Sequence, residues 1–295
     1  MSREDLATSR KARLSPQKRA LLEKLSGAAR TSGTTRIPRR PADDRPPLSY
    51  AQRRLWFLDQ MVPDSPAYNV PMSFRVRGPL RREILERAAE EVVRRHESLR
   101  TRLPSENGEP WQEIVDDVEV PVELVDLTDD PARLDALVFE AGRRPFDLAT
   151  GPLLRVTLYR LAPELHVVLL NAHHVVVDGW SLGLFWQELF TLYEAFAAGR
   201  PSPLPELAVQ YADFAVWQRE YLSGDRLENQ LAYWRRQLGE GTENLELPLD
   251  RPRPPVQTFS RAATSGTSTR PPCATNCRPC AGARASACSS CCSAR

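Results

Sequence analysis

No stretch of this 295-residue chain approaches the length of apolar sequence needed to span a bilayer. Its N-terminus is polar and lacks the apolar segment of a secretory signal, so a cytoplasmic protein without a membrane partner is expected. Cysteine is missing before Cys273, and with no export signal a disulfide framework is not expected. Histidine is scarce, with only His96, His166, His173 and His174 in the whole chain. The length suits one large or two small domains.

The net charge of +2 conceals three unlike regions. Residues 1–47 carry 12 Lys and Arg against 5 Asp and Glu, and residues 261–295 carry 5 against none, which leaves residues 48–260 at −10. So acidic a body repels phosphate backbones, and a nucleic-acid partner is excluded. The basic arm has one helix signal, Ser15-Pro16 opening Gln-Lys-Arg-Ala-Leu-Leu-Glu-Lys-Leu, with proline at the first helical position. Its Ser-, Thr-, Arg- and Pro-rich flanks have linker composition. Residues 1–47 are therefore expected to be a basic linker with one short helix, able to dock a neighbouring module.

The chemistry is concentrated in residues 173–179, His-His-Val-Val-Val-Asp-Gly. The segment that ends at the histidine pair is apolar and β-branched, the pattern of a strand buried on both faces. Side chains alternate along a strand, so His173 and His174 point to opposite sides and only one of them lines a given cleft. Histidine is the natural proton acceptor near neutral pH. Asp178 falls where the chain turns toward Ser181, read as a helix N-cap, and Gly179 lets a substrate approach the backbone. A satisfied core histidine pair followed by an ordinary Asp-Gly turn is the alternative.

Four further runs flank this motif in fixed order. They are Leu48-Ser-Tyr-Ala-Gln-Arg-Arg-Leu-Trp-Phe-Leu58, Arg94-Arg-His-Glu-Ser-Leu-Arg-Thr101, Tyr211-Ala-Asp-Phe-Ala-Val-Trp-Gln218 with Tyr233-Trp234, and Leu247-Pro-Leu-Asp-Arg-Pro-Arg-Pro254. Together they resemble the condensation domains of nonribosomal peptide synthetases over residues 48–258. The intact histidine pair sets the chain apart from heterocyclisation domains, and the Asp178-Gly-Trp-Ser181 run looks most like a subtype taking an L-configured donor.

That resemblance implies an α/β fold, a chloramphenicol acetyltransferase-like sandwich lobe. It would be the N-terminal lobe, with connecting helices, of a two-lobed domain whose second lobe is mostly missing here. It implies an amide bond formed between a carrier-bound acyl or peptidyl thioester and the amine of a carrier-bound aminoacyl acceptor. The partners implied are donor and acceptor peptidyl carrier proteins, which bring their own phosphopantetheine thioesters, so no cofactor or metal is expected on this chain. His174 is assigned to the proton of the α-amine, and Gly179 N–H to the oxyanion. Asp178 is assigned to loop order through an arginine, Arg100 first and Arg54 in reserve, and His173 to structure. His96 is read as a packing residue. Two alternatives are a non-catalytic remnant that binds carriers and a related coenzyme-A-dependent acyltransferase.

From Arg261 onward the chain has no Leu, Ile, Val, Met, Phe, Tyr or Trp and no acidic residue. Such composition cannot build a core. Cys277-x-x-Cys280 and Cys288-x-x-Cys291 have the form of zinc pairs but nothing apolar to pack around a metal. Residues 259–295 read as a disordered tail of the kind GC-rich coding sequence yields out of frame, a frameshift near residue 260.

Coarse structure follows from periodicity. Tyr68 to Arg77, Pro152 to Arg160 and the segment ending at His173 read as strands. Leu80 to Glu97, Ser181 to Ala198 and Tyr211 to Gly239 read as helical, with Trp217 and Trp234 as core or hinge packing. Leu249 to Pro255 reads as an extended connector.

Overall fold

The computed structural model describes residues 36–41, 45–116, 119–239 and 248. The arm helix around Leu21, the connector from Leu249 and the tail from residue 259 lie outside the described residues.

Helix α1, Tyr50–Met61, starts at Ser49, whose hydroxyl accepts from the N–H of Gln52 while the Gln52 side chain accepts from the N–H of Ser49. This reciprocal cap satisfies two backbone donors at once. Strand β1, Asn69–Arg77, leads to helix α2, Arg82–Arg95. Two small antiparallel ladders follow, β2 (Thr101–Arg102) with β5 (Glu113–Ile114) and β3 (Ser105–Glu106) with β4 (Glu109–Pro110). Then come β6 (Val122–Asp126), helix α3 (Leu134–Arg143), β7 (Leu154–Ala162), β8 (Leu165–His173) and helix α4 (Gly179–Ala197). Helices α5, Tyr211–Tyr221, and α6, Gly224–Leu238, split the single helical region read from the sequence.

Strands order as β1-β8-β7-β6. β8 pairs antiparallel with both neighbours, and β6 runs parallel to β7. The central position of β8 explains its composition. Leu154, Val156, Leu158, Val168, Leu170 and Ala172 alternate onto the face that buries α2 and α4 in the main core. Tyr159, Val167 and Leu169 alternate onto the opposite face, against α3. A strand covered on both sides has no use for the polar alternation of a surface strand, and all of β8 beyond its first residue is buried.

Two readings change. Residues 36–41 and 45–47, assigned above to the linker, include groups anchored on the body: Arg40 bonds Glu97 and Asp213 at 2.8 Å each, and Arg39 donates to the carbonyls of Leu207 and Ala208. Trp234 is no core residue, since it is 56 % exposed on α6, a helix that buries none of its side chains among the described residues. Trp217 is partly buried and stacks on Tyr221 at 4.6 Å. None of the described helices is long and apolar enough to cross a membrane.

Candidate active site

β8 delivers the histidine pair. The backbone N–H of His173 donates to the Leu153 carbonyl and that of His174 to the Tyr68 carbonyl at 2.8 Å, so both residues are fixed at the strand end. Their rings then part company, as strand alternation requires. His173 is 2 % exposed. Its Nδ1 accepts from the N–H of Val175 at 3.2 Å, which leaves the proton of the neutral ring on Nε2. The rings of Tyr68 and Phe146 meet it edge-on, each at 6.3 Å. Burial, and to a lesser degree the neighbouring His174, push its pKa down to about 4. His174 is exposed.

The next three residues, Val175, Val176 and Val177, are buried and bring the chain to Asp178. The sequence reading placed the helix cap at Ser181; the structure places it three residues earlier. Asp178 is the N-cap of α4: its carboxylate accepts from the Ser181 N–H at 2.7 Å, while the Asp178 N–H donates to Ser181 Oγ at 2.8 Å. Ser181 is the N3 partner of this capping box. The Ser181 N–H holds the Asp178 carboxyl below the usual carboxylate range, helped by the Ser181 hydroxyl and the Trp180 N–H.

The expected arginine partner is therefore corrected. Arg100 donates instead to the Val115 carbonyl at 2.8 Å, with Asp116 at 3.4 Å, and Arg54 is exposed on α1. Local N–H donors and the positive end of a 19-residue helix already supply what a guanidinium would. Asp178→Ala should cost about 1 kcal/mol of stability near neutral pH, read by urea unfolding. The difference should persist above pH 3.8 and shrink as pH falls through the lowered carboxyl pKa, where the wild-type cap is itself protonated. Equal stability of both proteins at pH 7 would refute the cap's contribution.

A cleft of about 340 Å³ opens beside His174, Asp178 and Ser181. Its far wall is Gln52 and Leu55 from α1, Ser98, and Tyr211 at the start of α5. Three of the four flanking runs thus converge on the histidine loop, with one to three residues from each. Tyr211 Oη lies 2.9 Å from Ser49 Oγ, which ties the α5 wall to the cap of α1. The sequence carried the signal for these wall residues, the runs themselves, but not which side chain in each run faces the cleft. Trp180 was also missed; it is 83 % exposed immediately after Gly179. Space above Gly179 is open: apart from its chain neighbours and its own helix backbone, no atom lies within 4 Å of where a Cβ would stand.

His96 does not reach this cleft. Its Nε2 lies 2.9 Å from Glu188 of α4, and the same carboxylate binds the buried Arg95 at 3.2 Å. Among the described residues no three His, Cys, Asp or Glu side chains gather as metal ligands.

Comparison with known proteins matches this architecture. A family model described as Condensation domain matches residues 42–269. The chain is 47 % identical over 255 residues to one component of the linear gramicidin synthase of Brevibacillus parabrevis, covering 84 % of this chain and 3 % of that one. It is 47 % identical over 266 residues to the phosphinothricin tripeptide synthetase PhsC of Streptomyces viridochromogenes, covering 88 % and 24 %. The X-domain from teicoplanin biosynthesis superposes with a TM-score of 0.66 at 32 % identity, over 74 % of this chain and 48 % of that one. The first condensation domain of the CDA synthetase shares the fold, with a TM-score of 0.60 at 24 % identity. The chain thus spans a small part of these synthetases and about half of the solved domains. With the histidine loop, its capping box and the converging runs in one cleft, this chain belongs to the condensation domains of nonribosomal peptide synthetases.

Proposed function

We propose that the His174 cleft forms an amide bond between two carrier-bound substrates. One observation carries the reading: of two adjacent histidines, one is sealed in the core with its basicity suppressed, while the other stands free at a cleft. The first supports the loop; the second is available for proton transfer.

In this mechanism the α-amine of the acceptor aminoacyl group attacks the carbonyl carbon of the donor thioester. The C–N bond forms, and the amine proton passes to the imidazole of His174. Collapse of the tetrahedral intermediate breaks the C–S bond, and the proton leaves with the donor thiol. The thioester is already activated, so no protein nucleophile is required. The Gly179 N–H, at the first turn of α4, supports the oxyanion, where the helix N-terminus favours negative charge. Asp178 holds that turn in place rather than taking part in the transfer. Both phosphopantetheine arms belong to donor and acceptor carrier proteins, and an adjacent synthetase module is a further partner for the basic N-terminal arm.

The test is amide formation from a donor and an acceptor carrier protein, each loaded as its thioester, followed by mass spectrometry of the acceptor. A product whose mass equals donor acyl plus acceptor aminoacyl group is expected. Absence of that product, or equal turnover with free coenzyme A thioesters, would overturn the reading.

A further inference from the structure

A second cavity, of about 590 Å³, lies between α3 and the strands β6 and β7. It shares no residue with the His174 cleft, and the proposed condensation does not use it. Its volume falls in the range of small-molecule sites, which are mostly apolar with a few placed polar groups. Val120, Val125, Leu137 and Leu169 supply apolar wall.

The polar groups have a definite arrangement. Arg155 and Asn171 are register partners across β7 and β8, so their side chains rise from the same face about 5 Å apart. Asn171 is 2 % exposed. Its Nδ2 donates to the carbonyl of Ala141 at 2.8 Å, which fixes the amide and leaves Oδ1 buried without a partner. A buried acceptor without a partner is unfavourable, so a donor arriving there is favoured. Beside it, Arg155 donates to the carbonyls of Arg144 and Pro145 and lies over the Phe146 ring at 4.0 Å. Burial and the Arg144 charge both hold the Arg155 guanidinium below its usual range. Arg144 and Arg155 both line the cavity, and two guanidiniums on one wall favour an anion between them. Glu123 and Glu140 also line the cavity and argue against a polyanion.

We propose that this cavity binds a small apolar carboxylate that carries an N–H or O–H donor on the carbon next to the carboxylate. The carboxylate sits at Arg144 and Arg155, the donor bonds Asn171 Oδ1, and the apolar body packs on Val125, Leu137 and Leu169. Free α-amino acids and α-hydroxy acids share this chemistry. An amino acid would add an ammonium near Glu140.

Calorimetric titration of the full chain tests it with three probes of one carbon skeleton: L-leucine, L-2-hydroxy-4-methylpentanoate and 4-methylpentanoate. At least one of the first two should bind saturably, and the third, which lacks the donor, at least about tenfold more weakly. Binding of leucine alone identifies the amino acid as the ligand, binding of the hydroxy acid alone identifies that class, and binding of both supports the shared chemistry. Arg144→Gln, at an exposed position, should weaken binding about tenfold. Ala141→Phe, which projects a ring into the cavity, should abolish it while cooperative unfolding is retained at a lower midpoint. The proposal is overturned if no probe saturates at about 10 mM, if the unsubstituted acid binds as well as the others, or if Arg144→Gln binds like wild type. Condensation activity is assayed separately, so failure here leaves the His174 reading untouched.

Discussion

His174→Ala should lower the rate of amide formation between loaded carrier proteins by about 10²–10⁴-fold, the usual contribution of a positioned general base. Stability should not change. The bond between His174 and Tyr68 is made by the backbone N–H, which alanine retains, and the ring is exposed. The carrier-loaded assay and a thermal melt on the same preparation separate chemistry from folding. A variant rate within about twofold of wild type, with product still formed, would remove His174 from proton transfer.

His173 should instead govern stability, and its effect depends on pH. The folded ring stays neutral down to about pH 4, whereas an unfolded histidine takes up a proton below its ordinary value of about 6.5. The unfolded state therefore binds the additional proton between those values. The stability contribution is complete above about pH 6.5 and falls by about 3 kcal/mol as pH drops to about 4. His166, buried at 3 % exposure with its pKa also lowered by burial, acts in the same direction. The decisive quantity is accordingly the difference between wild type and His173→Asn, whose side-chain oxygen can accept the Val175 N–H without titrating. Urea unfolding at several pH values should show a shallower decline for the variant. Parallel curves would mean that the buried ring is not the source.

These two predictions differ because adjacent residues at a strand end fall on opposite sides of the chain. That much was legible from a strand period of two; which of the pair is exposed, His174, is shown by the structure. The strands themselves were legible for the same reason: Asn69–Arg77, Leu154–Ala162 and Leu165–His173 lie within two residues of their expected limits, since β-branched runs have few other stable conformations. Helix ends were less legible. Asp178 and Ser181 are both good capping residues three apart, and either could have opened α4; the reciprocal bonds of the capping box decided it.

The arginine partner of Asp178 was not legible at all. Charge complementarity suggested Arg100 or Arg54, but a carboxylate at a helix N-terminus satisfies itself with backbone donors, and Arg100 is consumed by the Val115 carbonyl. Trp234 failed for a related reason. An aromatic residue at helical spacing carries no mark of whether another element covers it, and α6 buries none of its side chains among the described residues.

By itself the sequence determined the family, the α/β class and the histidine loop, because strand alternation and motif order are properties of neighbours along the chain. Which side chain from each distant run lines the cleft, where Asp178 spends its charge, and how far His173 is stripped of basicity were decided by tertiary structure. Those depend on desolvation and on hydrogen bonds between residues such as Ser49 and Tyr211, 162 positions apart, and no local pattern encodes them.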